Sequence, residues 1–269
     1  MLKDITFGQY IETASPIHKA DPRVKITLLI LIIVFIFVAE NFYGLFLSLI
    51  FIAVTITATK TPFKTYLKNI KAILPIIILT SVINMFYGDK STAILHIWKL
   101  TVTADGLSRA AFMSFRIILL IIISSSLTYT TTPNDLTDAI ESLLSPLKLI
   151  GLKNAVHTLA LMMTIALRFI PTLVEEAEKI MNAQKARGAD LESGNILQRI
   201  KALIPILIPL LVSSVRRAYE LAEAMECRCY NGGEGKTRMK QLKVSRVDYV
   251  ITAVTLLYAL GVITLNILF

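Results

Sequence analysis

An all-α, polytopic membrane fold is predicted, with about five transmembrane helices and a cytoplasmic domain of long crossing helices. Three observations carry it. Of 269 residues, 55% are hydrophobic and 17% charged, with a mean hydropathy of +0.66, where an ordinary soluble domain carries roughly 25% charge. Apolar runs of nearly membrane-spanning length recur without charge. The cations behind the net charge of +9 fall mostly between those runs and not on one basic face, so they read as topology signals and argue against a nucleic-acid partner.

Residues 1–23 form an amphipathic lead-in without the charged-then-apolar layout of a cleavable signal peptide. It closes at Asp21-Pro22-Arg23, with proline suited to the first turn of a helix. Residues 26–39 are charge-free, and snorkelling of Arg23 and Lys25 extends them to a marginal span of ~17 residues. Glu40-Asn41 interrupts, and residues 42–59 return across the bilayer. Lys60, Lys64, Lys68 and Lys71 then read as a short cationic loop, which the positive-inside rule places in the cytoplasm. A third run, 72–87, carries Pro75 and Asn84; the loop 88–107 holds His96 and Trp98, the latter suited to the outer interface. The fourth span, 109–129, contains Arg116. An intramembrane arginine marks a functional site by default, but no carboxylate within the spans offers itself as a partner, so snorkelling or a structural hydrogen bond is expected.

Thr132-Pro133-Asn134-Asp135 reads as an N-cap, a proline at the first helical position and an acid in the first turn. The short helix that follows stops at Ser145-Pro146; its acids Asp135, Asp138 and Glu141 suit the helix dipole better than a metal, because no second acidic cluster completes a site. From Asn154 two long helices follow. The first has an apolar half, 155–173, with Met162, Met163 and Arg168, and a polar half in which Glu175 and Lys179 stand at i, i+4. After a turn at 188–194 the second repeats the plan, with an apolar stretch at 202–212 broken by Pro205 and Pro209 and followed by Arg216, Arg217, Glu220 and Glu223. Both are expected to lie in and below the cytoplasmic interface, with the methionines as adaptable contact surface. A glycine-rich basic linker at 232–246 leads to a last span, 249–269, whose end faces out. The expected divisions are 1–132 (four membrane helices), 133–247 (the helical domain) and 248–269 (the last membrane helix).

No catalytic, cofactor or metal site is expected. The segment 231–237 imitates a phosphate loop, but Tyr230 stands where the pattern needs glycine, and it follows a helix where a strand is required. His18, His96 and His157 are scattered, and Cys227 and Cys229 form neither a CxxC pair nor a zinc set. Both long helical patterns stop on arginine, in Ala186-Arg187-Gly188 and Cys227-Arg228-Cys229. Each arginine could complement the helix dipole, for ~0.3–1 kcal/mol, or stand as a directional anchor at the tip of a rigid rod.

These paired ends, the run from Ala160-Leu161-Met162-Met163 to Arg168-Phe169-Ile170-Pro171, the stretch Gln184-Lys185-Ala186-Arg187-Gly188-Ala189-Asp190, and the entry segments Gly8-Gln9-Tyr10 and Asp21-Pro22-Arg23-Val24-Lys25 resemble the transmembrane T component of energy-coupling factor (ECF) transporters. The resemblance covers nearly the whole chain. It implies a non-enzymatic, multi-pass subunit of a prokaryotic plasma membrane, set between two ABC-type ATPase subunits and a membrane-embedded substrate-binding S subunit. On that basis Ala186, Arg187, Gly188, Cys227, Arg228 and Cys229 are the expected ATPase contacts, and Met162 and Met163 the expected S-subunit contacts. The glycine-rich linker resembles the group that serves several vitamin-binding S subunits. Cys227 departs from the alanine common at that place, with a side chain still small and apolar. The alternative, an ion-coupled stand-alone membrane transporter, calls for midplane carboxylates and inverted repeats; neither is visible in the sequence.

Overall fold

The computed structural model describes residues 10–13, 15–86, 93–97, 100–146, 153–189, 195–231 and 242–268. The expected positions of Trp98 and of most of the 232–246 linker lie outside the described residues. The elements are α1 (Pro22–Val38), α2 (Phe42–Thr59), α3 (Phe63–Met85), β1 (Ala93–Ile97), β2 (Leu100–Thr103), α4 (Ala104–Thr130), α5 (Pro133–Leu143), α6 (Lys153–Ala186), α7 (Ile196–Cys227) and α8 (Arg246–Leu268). The helical class stands. In the loop expected between the third and fourth spans lies an antiparallel pair, β1 with β2, registering Ala93 with Thr103 and Ile97 with Leu100.

The chain divides into two compact units: Gly8–Leu136 with Leu242–Phe269, and a second built on Thr137–Gln241. In the first, α4 packs on α1, α2 and α3, while α8 packs on α1 and α2. Ile32, Ile36, Leu45, Ile52, Leu119 and Val262 form its core, and Ile30, Phe37, Phe46, Ile78 and Leu257 are exposed on the outside. Apolar side chains outside and polar ones between helices is the arrangement a bilayer demands. Accordingly Ser48 and Tyr258 share a hydroxyl bond of 2.8 Å, and Asn69 Nδ2 donates to the Tyr129 hydroxyl at 2.6 Å.

One end of this unit is tied by polar bonds. The Asp21 side chain caps α1 through the Arg23 N–H at 2.9 Å, Asp248 Oδ1 accepts the Asp21 N–H at 2.8 Å, and Lys25 Nζ donates to the Thr130 carbonyl at 2.9 Å. At the other end α1 stops early. Its 17 residues rise about 25 Å, short of a hydrocarbon core of about 30 Å. Its final carbonyls therefore need protein donors: Asn266 Nδ2 donates to Val38 O at 2.6 Å and Arg116 Nη2 to Ala39 O. The Arg116 guanidinium also lies 4.7 Å from the Phe112 ring centre. Of the two expected roles for Arg116, the structural hydrogen bond is the one observed.

Two expectations change. Lys64, Lys68 and Lys71 are not in a loop; they stand exposed along the first turns of α3, where a spacing of i, i+4, i+7 shares one helical face. α7, expected as one long helix, is continuous from Ile196 to Cys227 through Pro205 and Pro209. Among the described residues five helices are long and apolar enough to cross a membrane, the number expected, but they are α2, α3, α4, α8 and the Ala155–Ala186 part of α6. The short α1 is not among them. α6, expected to lie below the interface, joins the set because it runs unbroken through Pro171 and so gains length.

Candidate functional site

The two arginine motifs end their helices in the same way. At the end of α6, the Gly188 N–H donates to Lys185 O at 3.0 Å and the Ala189 N–H to Gln184 O at 3.0 Å, with Gly188 at φ +87°. At the end of α7, the Cys229 N–H donates to Glu226 O at 2.8 Å and the Tyr230 N–H to Met225 O at 3.0 Å, with Cys229 at φ +53°. Each is a Schellman turn, and the arginine occupies the cap position immediately before the left-handed residue in both. Glycine takes the left-handed conformation freely; cysteine does so at a cost of about 1–2 kcal/mol.

Because backbone N–H groups of the turn occupy the last carbonyls, neither guanidinium is needed to cap its helix. Arg187 and Arg228 are exposed, and among the described residues neither side chain has a hydrogen-bond or ion-pair partner. Ala186, Gly188, Cys227 and Cys229 are exposed beside them, both cysteines as free thiols. The dipole still favours a cation here, but only weakly at an exposed site.

Behind the tips, α6 and α7 are fastened together. Glu176 on α6 receives Arg217 Nη2 at 2.6 Å and the Ser213 hydroxyl, both from α7. Arg187 lies eleven positions beyond Glu176, and Arg228 eleven beyond Arg217. At 1.5 Å per residue, both helix ends reach about 16 Å past the same clamp. The helices run antiparallel: His157, near the start of α6, meets Tyr230, just past α7, with His157 Nε2 3.3 Å from the tyrosine hydroxyl. The two tips thus lie at opposite ends of the pair, at most about 33 Å apart along the helices.

Sequence reading placed both arginines at helix ends, where they stand, but missed the clamp. It noted Glu175 with Lys179 along one helix, whereas the clamp joins Glu176 to Arg217 across two helices, and a single sequence holds no signal for that pairing. Met162 is exposed and Met163 half-buried on α6; on α7 a stripe of Ile204, Leu207, Ile208, Leu211 and Val215 is exposed. Among the described residues no group of His, Cys, Asp and Glu could hold a metal ion. An apolar cavity opens among α1, α2, α4 and α8, lined by residues such as Leu28, Val54, Leu127 and Val254. Its one lysine, Lys25, is already bonded to the His18 and Thr130 carbonyls at 3.3 and 2.9 Å.

Residues 13–239 match the family described as cobalt transport protein, CbiQ. The chain is 50% identical over 269 residues to the energy-coupling factor transporter transmembrane protein EcfT of Ruminiclostridium cellulolyticum, covering 100% of both chains. To the protein of the same name from Clostridium kluyveri it is 51% identical over 251 residues (93% of this chain, 92% of the relative), and to that from Bacillus subtilis 42% over 261 residues (97% and 98%). With a family match over most of its length, relatives alike from end to end and five helices fit to cross a membrane, the chain belongs to the transmembrane proteins of ECF transporters, multi-pass proteins of the bacterial plasma membrane.

Proposed function

We propose that the chain is the non-catalytic coupling subunit of an ATP-driven importer, carrying the movement of two ABC-type ATPase subunits to a membrane-embedded S subunit that holds a vitamin or similar micronutrient. The observation that carries this reading is the duplicate helix end: two exposed arginines, each on a Schellman turn, each at the same reach from one clamp. A rigid rod ending in a guanidinium can plug a groove and transmit force, since the planar fork makes several directional hydrogen bonds at once. Two such rods address two ATPases. When those close on nucleotide, the Glu176–Arg217 clamp makes the two levers move together instead of sliding apart. The exposed stripe of α7 and the Met162 face of α6 offer the S subunit an apolar surface.

The test is co-purification of the ATPases with wild type, Arg187→Ala, Arg228→Ala and the double variant, alongside membrane insertion and transport. If the arginines only complement helix dipoles, each change costs at most ~1 kcal/mol and the assembly survives. If they are anchors, each removes ~2 kcal/mol or more of binding. The double variant then loses the ATPases almost entirely, because a bivalent contact also forfeits its effective concentration. Lysine rescues poorly at either place. A double variant that inserts, keeps its ATPases and transports normally ends this reading.

A further inference from the structure

We infer that Glu141, His157 and Tyr230 form a side-chain tether that aims the Arg228 tip, making His157 and Tyr230 positioning residues for the second lever. The inference rests on the coupling role proposed for Arg228. Tyr230 serves that tip twice. Its N–H closes the Schellman turn on Met225 O at 3.0 Å, and its hydroxyl stands 3.3 Å from His157 Nε2 near the start of α6. The other ring nitrogen, His157 Nδ1, stands 3.7 Å from Glu141 Oε1 on α5. At 3.7 Å the carboxylate makes no hydrogen bond but attracts an Nδ1–H, which favours the tautomer whose Nε2 accepts from the tyrosine hydroxyl.

The tips differ in a way that gives the tether a purpose. At the first tip the turn uses glycine at φ +87°, and the residue after it, Ala189, has no side chain that could reach a neighbour. At the second, Cys229 holds φ +53°, a conformation glycine would adopt without strain, and the residue after it is the half-buried Tyr230. A strained cap frays more readily than a relaxed one. Fixing the following residue to α6, and through His157 to α5, holds Arg228 in one direction despite that strain. At the second tip, side chains join the backbone in aiming the arginine.

The chain's own thiols report on this. Cys227 and Cys229, its only cysteines, flank Arg228. A nitroxide on Cys227, with Cys229→Ser, in the full-length chain in nanodiscs reads the motion of the tip; a second preparation with the label at Lys185→Cys, both native cysteines replaced by serine, reads the first. Tyr230→Phe removes a single oxygen and leaves the ring packed. We expect Tyr230→Phe and His157→Leu to mobilise the Cys227 label, to leave the Lys185 label unchanged and to lower ATPase retention three- to ten-fold, with His157→Gln restoring part of the order. Unchanged Cys227 spectra in both Tyr230→Phe and His157→Leu overturn the tether. Equal mobilisation at both tips overturns it too, as general loosening. If the Cys227 label is mobilised selectively while Arg228→Ala keeps its ATPases, the tether stands and the coupling reading falls.

Discussion

At the scale of single residues, the two helix ends make opposite predictions from one geometry. Cys229 occupies a left-handed conformation at φ +53° where glycine is at ease, so Cys229→Gly should stabilise the end of α7 by about 1 kcal/mol. Gly188 at φ +87° has nothing within 4 Å of an added Cβ, so Gly188→Ala should weaken the end of α6 by a similar amount through backbone strain alone. Hydrogen exchange of the Tyr230 and Ala189 amides is the measurement: slower for the first, faster for the second, by roughly five-fold for 1 kcal/mol. Equal rates in variant and wild type would mean the turns are not held as described. Both helix ends were legible in the sequence, at Gly188 and at Cys227-Arg228-Cys229; that Cys229 takes the left-handed conformation was not, because cysteine has no preference for it. Arg116 was legible as an anomaly and only half legible in purpose. The carbonyl it serves, Ala39 O, belongs to a helix 77 positions away in the chain. Replacing it by leucine should cost about 1–3 kcal/mol by orphaning that carbonyl in an apolar setting, read as a lowered melting temperature in detergent.

At the scale of elements, the coupling proposed above requires α6 and α7 to stay whole and stay joined. Prolines at 171, 205 and 209 remove ladder donors without ending either helix. Pro205 and Pro209 stand four apart, on one face, so any bends they introduce have the same sense. Sequence reading took α7 as one long helix carrying both prolines, and so it stands. The three lysines of α3 were misplaced: their helical spacing was present, but charge density suggested a loop. The joint itself is testable by inversion. Glu176→Arg alone or Arg217→Glu alone puts like charges opposite each other at the clamp and should reduce transport while both arginine tips remain. The double exchange restores the pair in reverse and should recover much of the loss. A double variant no better than the worse single variant would remove the clamp from the mechanism.

At the scale of the whole molecule, composition made the class of fold legible, but which helices have the length and apolarity to cross a membrane was not. α6 has the length and composition to cross a membrane, yet the two-tip mechanism proposed above requires that it does not. α6 and α7 are antiparallel, with His157 beside Tyr230 at one end and Glu176 beside Arg217 toward the other. If α6 crossed the bilayer, Arg228, at the level of its start, and Arg187, at its end, would emerge on opposite faces. Only one could then meet an ATPase. Both tips reach the cytoplasm only if the pair lies along the membrane, its apolar stripes turned toward lipid or the S subunit and its charged residues toward water. We therefore expect Cys227 and Cys229, and a cysteine introduced at Lys185 in a background lacking them, to resist a membrane-impermeant thiol reagent in intact cells and to react in inside-out vesicles. Lys64→Cys should behave likewise, and Ile267→Cys should react from outside. Lys185→Cys labelled from outside while Cys227 is protected would make α6 a true span, and the chain would then present one arginine, not two, to its motor.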